Sequence, residues 1–190
     1  LHYPLRRQRQ MCIRDSCIIH QELALVPMLS ITENLFLGHE VATRGVIDWS
    51  LAHRRAKVLL EKVGLEVSPQ TRVNQLGIGQ QQLVEIAKAL GKDVRLLILD
   101  EPTASLNEKD SERLLELMLE LKAKDITSII ISHKLNEISR VADGVTVIRD
   151  GTTVDVIDCR ESPLSENRVV QAMVCLLYTS DAADEEDSVD

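Results

Sequence analysis

Residues 95–106 read RLLILDEPTASL: four large aliphatic residues run into two adjacent carboxylates, Asp100 and Glu101, and Pro102 follows at once. An unbroken aliphatic run is the mark of a strand buried in a parallel sheet. Open α/β folds bind their ligands at the carboxyl edge of such strands. Two carboxylates delivered to that edge can divide a task. An aspartate can hold Mg²⁺, directly or through water. A glutamate beside it can orient a water for attack on a phosphate. The same residues also fit a solvated strand end. Pro102 and Thr103, which fix the turn after the carboxylates, make DEPTASL far more specific than the strand alone.

Two further stretches carry residue types suited to phosphate chemistry. In LGIGQQQLVEIAKAL, Gly77 and Gly79 let backbone N–H groups approach a phosphate, and the helix that follows points its positive end at the same place. Taken alone, this segment is also an ordinary loop and helix start. In SIIISHKLNEI, His133 stands at the end of a second aliphatic run. A single histidine there is usually structural, so its meaning depends on its distance from Asp100 and Glu101.

Around these stretches the pattern predicts the elements that must position them. Ser30 and Glu33 have capping-box spacing and open a short helix that ends near Gly38. WSLAHRRAKVLLEKVG predicts a helix with Ser50 as N-cap, Leu51, Val58, Leu59 and Val63 on one face, and Gly64 as the stop. Leu83, Ile86, Ala87 and Leu90 form the stripe of a third helix, closed by Gly91. Residues 30–91 are therefore expected to be mostly helical. Beyond them come a strand over 94–99, a helix over 108–123 with Leu114, Leu117, Met118 and Leu121 inward, a buried strand in ITSIIIS, a short helix in KLNEISRVA, and a hairpin turning at Asp150-Gly151. Strand alternating with helix predicts an α/β fold with a parallel sheet.

With these motifs in order, the chain resembles the ATP-binding cassette (ABC) ATPases, and the resemblance covers nearly all of residues 17–158. DEPT matches the family's Walker B end, with Asp100 as Mg²⁺ ligand and Glu101 polarising the attacking water. Ala104-Ser105-Leu106-Asn107 stands at the D-loop, where Asn107 replaces the usual aspartate and keeps hydrogen bonding without charge. His133 matches the switch histidine that senses the γ-phosphate. Leu76, Gly77, Ile78, Gly79 and Gln80 occupy the signature, with Gly77 at the hydroxyl position and Ile78 at a glycine position. Gln21 matches the Q-loop glutamine that reaches toward Mg²⁺ and water. The wording of HQELALVP, TENLFLG and ISHKLNEI is most similar to ATPases of ribose, xylose and multiple-sugar importers.

The resemblance implies a P-loop NTPase core, a parallel sheet with an inserted helical subdomain: residues 22–91 as that subdomain, 92–158 as the catalytic core and 159–174 as the start of a linker. It implies ATP and Mg²⁺ as cofactors. The implied partners are transmembrane permease subunits, a second cassette, fused or dimeric, and indirectly a periplasmic sugar-binding protein. The implied place is the cytoplasmic face of a bacterial inner membrane. A non-transport cassette ATPase, of DNA repair or translation, and a non-catalytic docking fragment are the alternatives. The 55-residue spacing from Gln21 to Leu76 is short for the non-transport kind.

Composition narrows the classes further. A net charge of −8 over 190 residues argues against a nucleic-acid partner. Aromatic residues are 2% of the chain, so the core must be aliphatic. Cys12, Cys17, Cys159 and Cys175 lack CxxC spacing, which reads as a reduced compartment. The ends have a separate origin. One oligonucleotide read on opposite strands encodes both residues 6–15 and residues 175–184. It resembles a transposase adapter, so residues 1–16 and 175–190 are expected to be adapter-like artefacts. No G-x-x-x-x-G-K-[ST] loop occurs anywhere in the sequence. In the family that loop precedes Gln21, so the cassette is expected to be N-terminally truncated and silent by itself.

Overall fold

Strand β1 (Ser16–Ile19) lies beside β4 (Leu96–Asp100), and β4 beside β5 (Thr127–Ile131), all parallel, in the order β1-β4-β5. The structure, a computed structural model, describes residues 15–20, 23–92, 94–161 and 163–174. Chain contacts divide it into two units, Leu1–Lys134 and Leu135–Asp190. That division falls inside the stretch 92–158.

In the first unit the predicted helices form. They are α1 (Ile31–Phe36), α2 (Trp49–Lys62), α3 (Ile78–Leu90) and α4 (Glu108–Ala123). The capping box of α1 is complete: Ser30 N donates to Glu33 Oε2 at 2.7 Å, and Glu33 N to Ser30 Oγ at 3.2 Å. The hydroxyl and then the backbone N–H of Ser30 hold the Glu33 carboxyl below its ordinary value. A depressed carboxyl contributes stability that is present above the ordinary value and lost as pH falls through the folded one. Ser30→Ala is expected to cost about 1 kcal/mol at neutral pH. Glu33→Gln is expected to flatten the loss of stability just below the ordinary glutamate range, as read by urea melts at several pH values. Equal acid sensitivity in wild type and Glu33→Gln would contradict this.

Helix α2 departs from expectation in two ways. Its N-cap is Asp48, whose Oδ1 accepts from Leu51 N at 2.9 Å, so Ser50 falls inside the first turn. Its buried face is Ala52, Ala56, Leu59 and Leu60, with Val63 just beyond, and Val58 is 53% exposed. Two alanines mark the inward stripe, and their small size hides it in a pattern read for large residues. A two-residue turn at Arg44 and Gly45, both with positive φ, joins the short antiparallel strands β2 (Ala42–Thr43) and β3 (Val46–Ile47). Such φ values define the hairpin-forming turn that matches strand twist.

Helices α3 and α4 bury the stripes expected of them: Leu83, Ile86, Ala87 and Leu90 on one, and Leu114, Leu117, Met118 and Leu121 on the other. Helix α3 packs on β1 and α4, and α4 packs on β5. Between them and the sheet lie Ile19, Leu97 and Leu99, each at most 2% exposed.

The other sheet face differs from the expected double burial. Register places Ile18, Ile98 and Ile129 in one row, and Asp100 beside Ile131. Ile18, Ile129 and Ile131 are each about half exposed. Thr127–Ile131 is therefore not the fully buried strand that its isoleucines suggest. Among the described residues of the first unit no element covers this face, and β5 lies at an edge of that unit's sheet. Asp15 and Ser16 fall in the stretch expected to be adapter-like, yet the Asp15 carbonyl accepts from Arg95 N and Leu96 N. Ladder bonds are made by backbone and do not depend on side-chain identity.

The second unit holds α5 (Leu135–Val141), the hairpin β6 (Gly144–Arg149) and β7 (Thr152–Asp158), and α6 (Glu166–Met173). The predicted turn is present, with Asp150 and Gly151 both at positive φ. Val147 and Ile157 pack against Val169 of α6. Arg168 fixes α6 to β7 through two 2.7 Å bonds to Asp155. No helix among the described residues is long and apolar enough to cross a membrane.

Candidate functional site: the carboxyl edge of the parallel sheet

Asp100 is the last residue of β4 and shares the open face with Leu96 and Ile98 by strand alternation. Glu101 extends the ladder by one bond, its N–H donating to Ile131 O at 2.9 Å. Glu101 then adopts φ of 45°, a left-handed conformation rare for a residue with a side chain. Such strain costs on the order of 1–3 kcal/mol and clusters at functional sites. The turn closes at once: Ala104 N donates to Glu101 O at 3.1 Å, and Leu106 N to Thr103 O at 3.2 Å. Pro102 and Thr103 are buried within it.

The chain returns to this edge after β5. His133 Nδ1 lies 3.1 Å from Glu101 Oε1. The carboxylate is one-third exposed and the imidazole two-thirds exposed, so a ligand has access to both. Thirty-two residues apart in sequence, they meet because β4 and β5 are neighbouring parallel strands that end together. Asp100, Glu101 and His133 thus share one edge. Asp100 and Glu101 form a small donor set, and no group of three or more His, Cys, Asp or Glu capable of holding a metal exists among the described residues. Such a set suits Mg²⁺, which keeps waters and is bound by one or two carboxylates together with substrate phosphates.

The glycine-rich segment builds a second group. Gly77 is the N-cap of α3 and, having no side chain, supplies no cap of its own. Gln80 replaces it, its Oε1 accepting from Gly77 N at 3.2 Å. Ile78 is 54% exposed, whereas Gly79 is buried. Asn107 caps α4, with Oδ1 accepting from Asp110 N and Nδ2 donating to Asp110 Oδ2, both at 2.9 Å. Asp110 then covers Gly79 so closely that a Cβ added there would lie 2.8 Å from the Asp110 Cβ. Any side chain at residue 79 must displace it. Asn107 and Gly79 are therefore joined through Asp110, a residue that the motifs do not single out. Its one local signal is that of an acid in the first turn of a helix, where it also favours the helix dipole. Gln21 lies outside the described residues.

Lys134 is likewise absent from the motifs. Its Nζ donates to Thr103 O at 2.8 Å, reaching from the histidine loop to the turn behind Glu101. A basic residue after a histidine carries no signal of its own, because lysines are mostly solvated.

A parallel sheet whose carboxyl edge carries Asp-Glu on one strand and a facing histidine on the next, with a glycine-led helix nearby in sequence, defines an α/β nucleotide-phosphate-binding class of protein. Residues 4–104 match the family described as ABC transporter, and the chain belongs to that family. It is 61% identical over 157 residues to the L-arabinose transport ATP-binding protein AraG of Geobacillus stearothermophilus, covering 83% of this chain and 31% of that protein. It is 52% identical over 167 residues to the xylose import ATP-binding protein XylG of Escherichia coli K12, covering 85% and 32%. The chain thus spans about a third of the length of these relatives. Its fold is similar to the dimeric post-hydrolysis structure of the ATP-binding cassette MJ0796 bound to ADP and Pi, with a TM-score of 0.66 at 26% identity, covering 80% of this chain and 66% of that one.

Proposed function

We propose that this chain carries the hydrolytic edge and helical subdomain of an ATP-hydrolysing subunit that drives monosaccharide import through a membrane permease. The 3.1 Å pairing of Glu101 with His133 at the end of β4 carries the reading. Glu101 polarises the attacking water, and His133 holds that water and the γ-phosphate. Asp100 is the residue that would hold Mg²⁺, and the family resemblance assigns Gln21 to the same ion. When bound, Mg²⁺ neutralises charge on the phosphates. By the family resemblance Gly77, Gly79 and Gln80, at the start of α3, serve the nucleotide of an opposing cassette, and Asn107 lines the same interface. Residues 22–91 form the helical subdomain, 92–158 the catalytic core and 159–174 the start of a linker.

The names of the arabinose and xylose relatives support a pentose or similar sugar as cargo. A groove between α1, the β2–β3 hairpin and α2 supports a permease partner. It has a volume of about 270 Å³ and is lined by Leu29, Phe36, Leu37, Ile47 and Trp49, with Glu33 and Glu40 at hand. Trp49 and Leu37 are each nearly half exposed there. Docking to a permease on the cytoplasmic side places the protein at the membrane's inner face, with a sugar-binding protein engaged only indirectly.

The test uses the complete reading frame with its permease in lipid vesicles. ATP-dependent sugar uptake is expected, and Glu101→Gln should lower hydrolysis by about 10²–10⁴-fold while nucleotide still binds. Unchanged turnover in Glu101→Gln would remove the assigned role. The purified 190-residue chain is expected to show no turnover, for want of a phosphate-binding loop. Turnover by that chain, abolished in Glu101→Gln, would overturn this second expectation.

A further inference from the structure

We propose that Lys134 is a positioning residue for the Glu101–His133 pair, pinning the histidine loop to the turn behind the glutamate. The His133 ring is 64% exposed, so packing gives it little orientation. Its distance from Glu101 is then set by the backbone on either side. Before the histidine, Ile131 O accepts from Glu101 N at 2.9 Å. After it, Lys134 folds back twice: its backbone N–H donates to Ser132 Oγ at 3.0 Å, and its Nζ donates to Thr103 O at 2.8 Å.

The acceptor is well chosen for this purpose. Thr103 is 3% exposed, and its carbonyl also accepts from Leu106 N, so it belongs to the buried, hydrogen-bonded part of the turn. A charged donor makes a stronger hydrogen bond than a neutral one, and a partly buried setting strengthens it further. An ammonium on a flexible stem reaches a single carbonyl readily, where a planar guanidinium is shaped for two acceptors. Glu101 holds a strained φ of 45°, which persists only if its surroundings over-determine it. The Lys134 bond is one of those surroundings. The geometry stands apart from any reaction. Its catalytic meaning rests on the proposed roles of Glu101 and His133, where a misplacement of about 1 Å costs on the order of 10²-fold in rate.

The test reads the imidazole tautomer of His133 in the 190-residue chain by long-range ¹H–¹⁵N correlation. An ionised carboxylate only accepts, so the Glu101 contact favours the tautomer with the proton on Nδ1. Lys134→Met is expected to shift His133 severalfold toward the other tautomer, Lys134→Arg to restore only part of the wild-type signal, and Lys124→Met, at an exposed helix end, to change nothing. His53, whose Nδ1 lies 2.9 Å from Thr32 Oγ1, reports the fold in the same spectrum. Glu101→Gln calibrates the reading. If Glu101→Gln moves the His133 signal and Lys134→Met does not, the positioning role is overturned. If neither moves it, the pairing that Lys134 would position is absent and the proposal fails with it. If Lys134→Met disturbs His53 together with His133, the lysine serves the fold as a whole, which also overturns the proposal. Failure of the ATPase reading would leave every one of these signals as expected.

Discussion

Leu97→Ala is expected to destabilise the chain by about 2–5 kcal/mol, the range for emptying a large aliphatic site in a core. Leu97 is fully buried on β4, the middle strand of its sheet, between Cys17 on one neighbouring strand and Ser128 on the other by register. It lies on the sheet face that α3 and α4 cover, so the cavity cannot be relieved by solvent. The same substitution at Ile129, which sits on the open face and is half exposed, should cost well under half as much. Urea melts give the comparison as a shift in midpoint at unchanged slope. Equal costs at the two positions would mean that the open face is covered in solution. A large cost at Leu97 should also loosen Asp100 and Glu101, because β4 is the strand that aims them.

Asn34 is the second site of large effect. It is fully buried on α1, yet all of its amide is used. Its Oδ1 accepts from Val26 N at 2.7 Å, and its Nδ2 donates to the carbonyls of Val26, Ser30 and, at longer range, Leu29. One side chain therefore holds the turn over 26–30 against α1, next to the groove proposed for a permease. Asn34→Ala leaves a backbone donor and several acceptors short and is expected to cost about 1–3 kcal/mol. Asn34→Asp should be worse at neutral pH despite its near-identical shape, since a carboxylate would face three carbonyl oxygens with nothing to donate. Burial among acceptors raises the pKa of such a carboxyl. Its penalty should therefore shrink as pH falls and the protonated form regains a donor. Thermal or urea melts of the two variants at neutral and acidic pH decide this. If Asn34→Asp matched wild type at neutral pH, Asn34 would not be donating to these carbonyls in solution.

Much of the site is legible before the fold. Asp100, Glu101 and His133 stand out by residue type, order and spacing, and the structure brings the last two into contact. The motif is readable because a carboxylate pair at the end of a buried strand is local: four aliphatic and two acidic residues in a row encode both the strand and its cargo. Asn107 stands out only through the family resemblance, and the structure shows it capping α4. Asp110 and Lys134 are not legible. Each acts through a partner far away in the chain, Gly79 for one and Thr103 for the other, and no local pattern announces such a meeting. Asn34 is hidden for a related reason. A polar residue in an amphipathic stretch reads as solvent-facing, and only the fold of the preceding turn back over α1 supplies its four bonds.

The sequence by itself determined the α/β alternation, the capping box of α1, the inward stripes of α3 and α4, the Asp150-Gly151 hairpin and the residue types that stand at the sheet edge. These depend on periodicity, on turn residues with positive φ and on neighbours a few residues apart, all of which a single chain displays. Tertiary structure alone decided which face of α2 turns inward, that β5 stands at an edge with Ile129 and Ile131 open, and that Glu101 meets His133 through a strained backbone. Those outcomes depend on which elements come to lie beside each other. Burial and strand order are properties of pairs of distant segments, and the hydrophobic effect rewards any sufficiently apolar face without naming the partner that will cover it.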